Sequence, residues 1–389
     1  MRTQSDSLRT LGELLGVFGI VLDKSELDLQ ETFHELKRCV VKQSDGENRV
    51  VVRGREKADL WIELEMKSLR KFVVLVYSIS CLILLTRLQL NIVARREYLD
   101  SSTRFEIEET LAKQYSIRNW FLEKWRSLRP VGDDDDDNDN LRPRMLLKGQ
   151  EDNYKIKLQT IQANEQAFLS LSWWLINKGW TQFDELAEQT ISREFSKVSP
   201  RDTIKFSEFN AKMRNVFNAL NSLIVTNRID NKSNDKIQLK SLLLPDDPML
   251  PTIFKQALPT QTLTILTDHN FDDTLLRMFI DETRRCIDSD ATVLILDSLI
   301  EESLKYAIPL LESKVKDKLK KKSKSKAKNK SDKQIGDSTS NPELECEMGV
   351  YVIALKDICN GFLYDSEYIA RLNEVSTLED LSISVFGNF

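Results

Sequence analysis

The chain has 389 residues carrying 56 basic and 61 acidic side chains, for a formal charge of −5. No global positive field exists to hold a nucleic-acid backbone, so no nucleic-acid partner is expected. Apolar residues make up 41%, enough for a real core, while 12 glycines and 9 prolines fall well below the roughly 12% of average usage, which disfavours turn-rich β architectures and predicts an all-α fold. Two histidines, His34 and His269, leave almost no material for histidine relays or multi-histidine metal sites. Cys39, Cys81, Cys286, Cys346 and Cys359 are odd in number and scattered in a chain that opens without a secretory signal, a pattern that reads as free thiols in a reducing compartment.

In chain order, helical periodicity predicts helices at Ser7–Leu22 and Asp28–Lys42. From Arg55 to Arg129 there is neither glycine nor proline, and one long helix, Glu56–Leu99, with a partner at Thr103–Leu128 fits this stretch. Its most apolar run, Phe72–Leu85, would reach only about 21 Å against a hydrocarbon core of about 30 Å, so it reads as a core helix and not a membrane span. Trp61, among Lys57, Asp59, Glu63 and Glu65, is either a plug at the end of the core or the exposed anchor of a binding groove.

An acidic run, Asp133–Asp137, repels itself and reads as a disordered loop over 130–152. Counted as a calcium loop from Asp135 it puts Asn140 and Leu146 where glycine and glutamate are required, so no metal is expected there. Helices follow at Lys155–Lys178, Gln182–Val198 and Phe206–Asn227, with Thr181 and Ser207 as cap residues. The neighbours Trp173 and Trp174 point about 100° apart on a helix, and at least one is expected in the core.

Pro245, Pro248, Pro251 and Pro259 predict a structured connection instead of a helix. Asp268, His269, Asp272 and Asp273 sit where a helix starts, and a capping role outweighs a metal site. Further helices are expected at Phe271–Lys314 and Glu343–Tyr364, with two short ones at the end. Eleven lysines lie between Lys314 and Lys333 with no aromatic residue among them, which reads as a solvated, disordered insertion over 315–341. No nucleotide-loop, nucleophile-elbow or zinc motif occurs, so catalytic residues, cofactors and metals are all expected to be none, and an interaction role is expected over an enzymatic one.

Longer matches carry a resemblance. The stretch Leu60-Trp61-Ile62-Glu63-Leu64, then Leu84-Leu85-Thr86-Arg87-Leu88-Gln89-Leu90-Asn91-Ile92 and Tyr98-Leu99-Asp100, resembles the peroxisomal biogenesis factor 3 (peroxin-3) family. The run from Asn164 through Trp173-Trp174 to Trp180, Ser199-Pro200-Arg201-Asp202-Thr203 and Leu378-Glu379-Asp380-Leu381-Ser382 resembles its fungal members. The resemblance implies a single helical cytosolic domain over 1–389, an elongated twisted bundle of long helices. It implies a docking receptor at the peroxisomal membrane that binds the import receptor peroxin-19 so that membrane proteins can be inserted.

Peroxisome inheritance and pexophagy factors are further implied partners, and a monomer is expected. Family members carry a spanning anchor before the domain, whereas this chain starts at Met1-Arg2-Thr3-Gln4, almost at the domain; as given it is expected to be soluble. Lys57, Trp61 and Leu64 follow i, i+4, i+7 spacing, which places them on one helix face able to line an apolar groove with a cationic rim. In the family the matching tryptophan, lysine and leucine contact an amphipathic N-terminal helix of peroxin-19, and Leu36 on the preceding helix is a secondary candidate for the same site. A soluble helical scaffold or adaptor of another pathway, or an enzyme without a recognisable motif, are the alternatives.

Overall fold

The structure is a computed structural model that describes residues 2–25, 27–41, 54–126, 156–225, 237–327 and 344–387. Side chains are described from residue 11 onward, except at helix ends such as 38–41, 54–56, 100–126 and 322–327. Among the described residues the fold is all-α with two short strand pairs. In order come α1 (Arg2–Asp23), α2 (Leu29–Val41), α3 (Gly54–Arg126), α4 (156–169) and α5 (Ser172–Trp174). A π-turn (Leu175–Gly179) joins α5 to α6 (Trp180–Phe195), which is followed by β1 (Thr203–Lys205), α7 (Phe206–Leu223) and β2 (Ile224–Val225). Next are β3 (Ile237–Gln238), α8 (Leu239–Leu243), α9 (Leu250–Ala257), α10 (Thr260–Leu266), α11 (Thr274–Ile287) and α12 (Asp290–Ala327). The chain ends with β4 (Glu345–Glu347), α13 (Met348–Phe362), α14 (Ser366–Asn373) and α15 (Ser376–Gly387).

α3 is the axis of the molecule. Its 73 residues span about 110 Å at 1.5 Å each, and α1, α2, α6, α11, α12, α13 and α15 all pack against it. Every residue from Lys71 to Thr86 is buried, as expected of a helix that is apolar on all sides and surrounded by others. Inside this collar Tyr77 stacks between Phe183 and Phe217, with ring centroids 5.5 and 5.6 Å away. Arg70 closes a two-pronged pair with Asp184 at 2.9 and 2.6 Å, tying α3 to α6 by the most directional kind of ion pair.

Several expectations change. The two helices predicted over 56–128 are one, because nothing between Arg55 and Arg126 interrupts the backbone ladder. This helix is long and apolar enough to cross a membrane, so run length alone does not decide the question. Burial does: protein covers 89% of its apolar window. The helix expected over Phe271–Lys314 is two. Ser289 interrupts it by accepting the Ala291 amide on its hydroxyl at 3.3 Å, while Thr292 closes back onto the Cys286 carbonyl at 2.6 Å.

The proline-rich connection is itself helical. Pro251 stands in the first turn of α9 and Pro259 at the N-cap of α10, where the missing amide costs no helical bond. α12 continues through the lysine tract to Ala327, so the expected disorder does not begin at 315; the tract beyond Ala327 and the acidic loop lie outside the described residues. Gly179 precedes α6 and Lys205 precedes α7 as caps, in place of Thr181 and Ser207. Trp173 and Trp174 are both only half-buried, and it is Trp180 that enters the core, because the π-turn rotates the face that follows it. Cys81, Cys286, Cys346 and Cys359 are free thiols, as expected.

Candidate functional site

The site is built where three distant segments meet the N-terminal end of α3. β1 and β4 form an antiparallel pair in which Ile204 faces Cys346, drawing residues near 200 and near 347 together across a long sequence gap. The first free amides of α13 use this proximity: Met348 donates to the Asp202 carbonyl and Gly349 to the Pro200 carbonyl, each at 2.8 Å. Helix-end donors that lack partners within the helix are thereby satisfied. The 199–202 turn is held in turn by its own aspartate, since the Ser199 amide donates to Asp202 Oδ2 at 2.7 Å.

Between this turn, α13, the far end of α12 and α3 lies a groove of about 620 Å³. α3 contributes Lys57, Ala58, Trp61 and Ile62 as one wall. Opposite stand Pro200 and Arg201, with Gly349, Val350 and Ile353 of α13 between them and Leu319 of α12 at the edge. Trp61 is half-buried and packed on the core. Its ring lies so close to Gly349 that an added Cβ there would sit 3.4 Å from the ring edge and 3.3 Å from the Pro200 carbonyl. Ile62, 51% exposed, offers apolar surface to solvent beside it. An apolar floor open on one side, with polar groups only at the rim, is what a helical peptide requires.

Of the expected site residues, the structure brings Lys57 and Trp61 together on the groove wall and places Leu64, 0% exposed, and Leu36, 4% exposed, in the hydrophobic core. The reason is angular. Leu64 lies three residues beyond Trp61, about 60° round the helix, and that is enough to turn it inward. Ala58 and Ile62 take its place, and their spacing from Lys57 at i+1 and i+5 was visible in the sequence. Pro200, Arg201, Gly349 and Val350 carried no local signal, since only the β1–β4 pairing brings them here.

Glu65 comes one turn after Trp61 and is buried, with one carboxylate oxygen lacking a partner. Burial, and then the negative charge of Asp202, push its carboxyl up to about 7. Elsewhere, the acidic cluster near His269 shapes the turn that leads into α11: Asp268 accepts the Asn270 amide and Asp272 the Thr274 amide, both at 3.0 Å, while Asp273 at the N-cap makes no side-chain cap bond. A second groove, of about 830 Å³, lies toward the other end of the buried part of α3, beside Arg95 and Leu99. It holds none of Lys57, Trp61, Leu64 and Leu36.

Comparison with known proteins agrees with the resemblance. A family model described as Peroxin-3 matches residues 40–388. Peroxisomal biogenesis factor 3 of Eremothecium gossypii is 35% identical across all of this chain and 86% of its own length. That of Saccharomyces cerevisiae is 34% identical, again across all of this chain and 83% of its own length. A more distant relative, the peroxisomal membrane protein PEX3 of Komagataella phaffii, is 25% identical over 86% of this chain. With the family model spanning nearly the whole helical bundle, the chain belongs to the Peroxin-3 family of peroxisome biogenesis factors.

Proposed function

We propose that this protein is a docking receptor at the peroxisomal membrane, with its helical domain facing the cytosol, that seats an amphipathic helix of peroxin-19 in the Trp61 groove so that peroxisomal membrane proteins can be inserted. The observation that carries the reading is Trp61 itself: a large aromatic ring half exposed in an apolar groove, beside the exposed Ile62 and with Lys57 at the rim. Tryptophans in such positions dominate interface energies. Leu64 and Leu36, buried in the core, support the site through the packing of α3 and α2.

The test is Trp61→Ala measured by calorimetric titration with peroxin-19. Binding is expected to weaken by about 2 to 4 kcal/mol, with thermal unfolding little changed, because the ring is only half-buried. A Gly349→Leu variant, which fills the space against the ring, is expected to lose binding as well while Trp61 stays in place. Undiminished affinity in a folded, equally stable Trp61→Ala protein would overturn the proposal.

A further inference from the structure

The groove is basic on an acidic protein. The chain carries −5 overall, yet the charged side chains lining the groove are Lys57, Arg201, Lys318 and Lys321 against Glu347 alone. Two of these lysines belong to the tract that composition marks as a solvated tail. They stand at the groove because α12 does not stop where the lysines begin. Val315 is fully buried and Leu319 partly so, continuing the stripe of Leu304, Ala307 and Leu311 at three- and four-residue spacing and holding the end of α12 against the core. Lys318 is fixed by Asp357 at 2.5 Å. Lys57, Arg201 and Lys321 enter no ion pair among the described residues.

The basic character extends beyond the groove. Lys356, only 7% exposed, stands 4.3 Å above the Phe33 ring, with Lys37 4.6 Å from the same ring. Burial lowers the proton affinity of Lys356 and, joined by Lys37, Lys318 and Lys71, outweighs Asp357.

Resting on the docking reading above, we infer that the lysine-bearing end of α12 is a selective wall of the groove, which admits an amphipathic helix whose polar flank carries carboxylates. The apolar floor takes one face of the helix, and Lys57, Arg201 and Lys321 meet the flank. Charge on the walls of a concave, partly dry site focuses the field and speeds the approach of an oppositely charged partner. A flat anionic membrane fits less well: the apolar lining of Trp61, Val350 and Ile353 belongs to a concave groove, and lipid headgroups have no apolar face to put there.

Two synthetic amphipathic peptides with the same apolar face test this, one with glutamates and one with lysines on the polar face. Their binding to the wild type and to a Lys321→Glu, Arg201→Glu double variant is read by fluorescence anisotropy. Both substituted side chains are exposed, and thermal unfolding checks that the variant folds. The acidic peptide is expected to bind wild type about tenfold tighter than the basic one, to lose that margin at about 0.3 M salt, and to lose it in the double variant. Equal binding of both peptides that still depends on Trp61 would overturn the charged wall and leave the groove standing. Failure of both peptides to bind wild type would overturn both. Capture by phosphatidylserine vesicles without binding of the acidic peptide would also overturn the inference, in favour of a membrane surface.

Discussion

Glu65 shows how one residue couples the groove to the core. It follows Trp61 by one turn, is buried, and faces the charge of Asp202 in the turn opposite. Its carboxyl, ordinarily near 4.5, is raised to about 7, so the folded state holds its proton more tightly than the unfolded chain. The fold is therefore not penalised below about pH 4.5 and loses stability as pH climbs from there to about 7, after which the loss is constant. Glu65→Gln, which keeps the shape and removes the charge, is expected to raise stability at pH 8 by up to about 3 kcal/mol and hardly at all at pH 5. Denaturant melts at the two pH values measure this, and an equal gain at both would show that burial of charge is not the cause.

At the scale of elements, the π-turn is packed by a close approach of backbone. Gly179 ends the π-turn against α8, where an added Cβ would lie 2.1 Å from the Leu242 carbonyl oxygen. Neither backbone can yield easily, since Trp174 also donates its indole N–H to the Ser241 carbonyl at 3.1 Å. Gly179→Ala is expected to cost about 3 kcal/mol, at the upper end of ordinary overpacking, seen as a lowered midpoint in urea. The glycine is needed for space and not for an unusual backbone angle, since its φ is −60°. Gly361 has open space around the position of a Cβ and serves as the control, with Gly361→Ala expected to be neutral or slightly stabilising.

For the whole molecule, the organising fact is that α3 is surrounded by other helices, α1, α2, α6, α11, α12, α13 and α15 among them. Opening its middle exposes every layer at once, so the amides from Leu75 to Leu85 should exchange with solvent only through global unfolding. Native-state hydrogen exchange is expected to give them the highest protection in the protein, while the α9–α10 segment, whose residues are mostly half-buried or exposed, exchanges through smaller openings. Leu82→Ala, at a site 1% exposed, is expected to cost about 2 to 5 kcal/mol and to lower the protection of the whole α3 core together. A drop confined to the turns next to residue 82 would contradict a single cooperative core.

The sequence by itself determined the all-α class, the buried character of Phe72–Leu85 and the family. Each of these is local or compositional: scarce glycine and proline, an apolar run without breaks, and ordered matches along the chain. Spacing put Lys57 and Trp61 on one helix face, and the resemblance, not the spacing, pointed to that face as a site. What only the tertiary structure decided is the other side of the groove. The pairing of Ile204 with Cys346 brings Pro200 and Gly349 to Trp61, and no periodicity announces a contact across so many intervening residues. Leu64 was misplaced as a wall residue for a related reason. A helical wheel gives angles but not which angle the neighbours cover, and here the packing buries Leu64 completely and leaves Ile62 open. The lysine tract divides along the same line: its composition is that of a solvated tail, and only the packing of Val315 and Leu319 against the core makes its first turns a wall of the site.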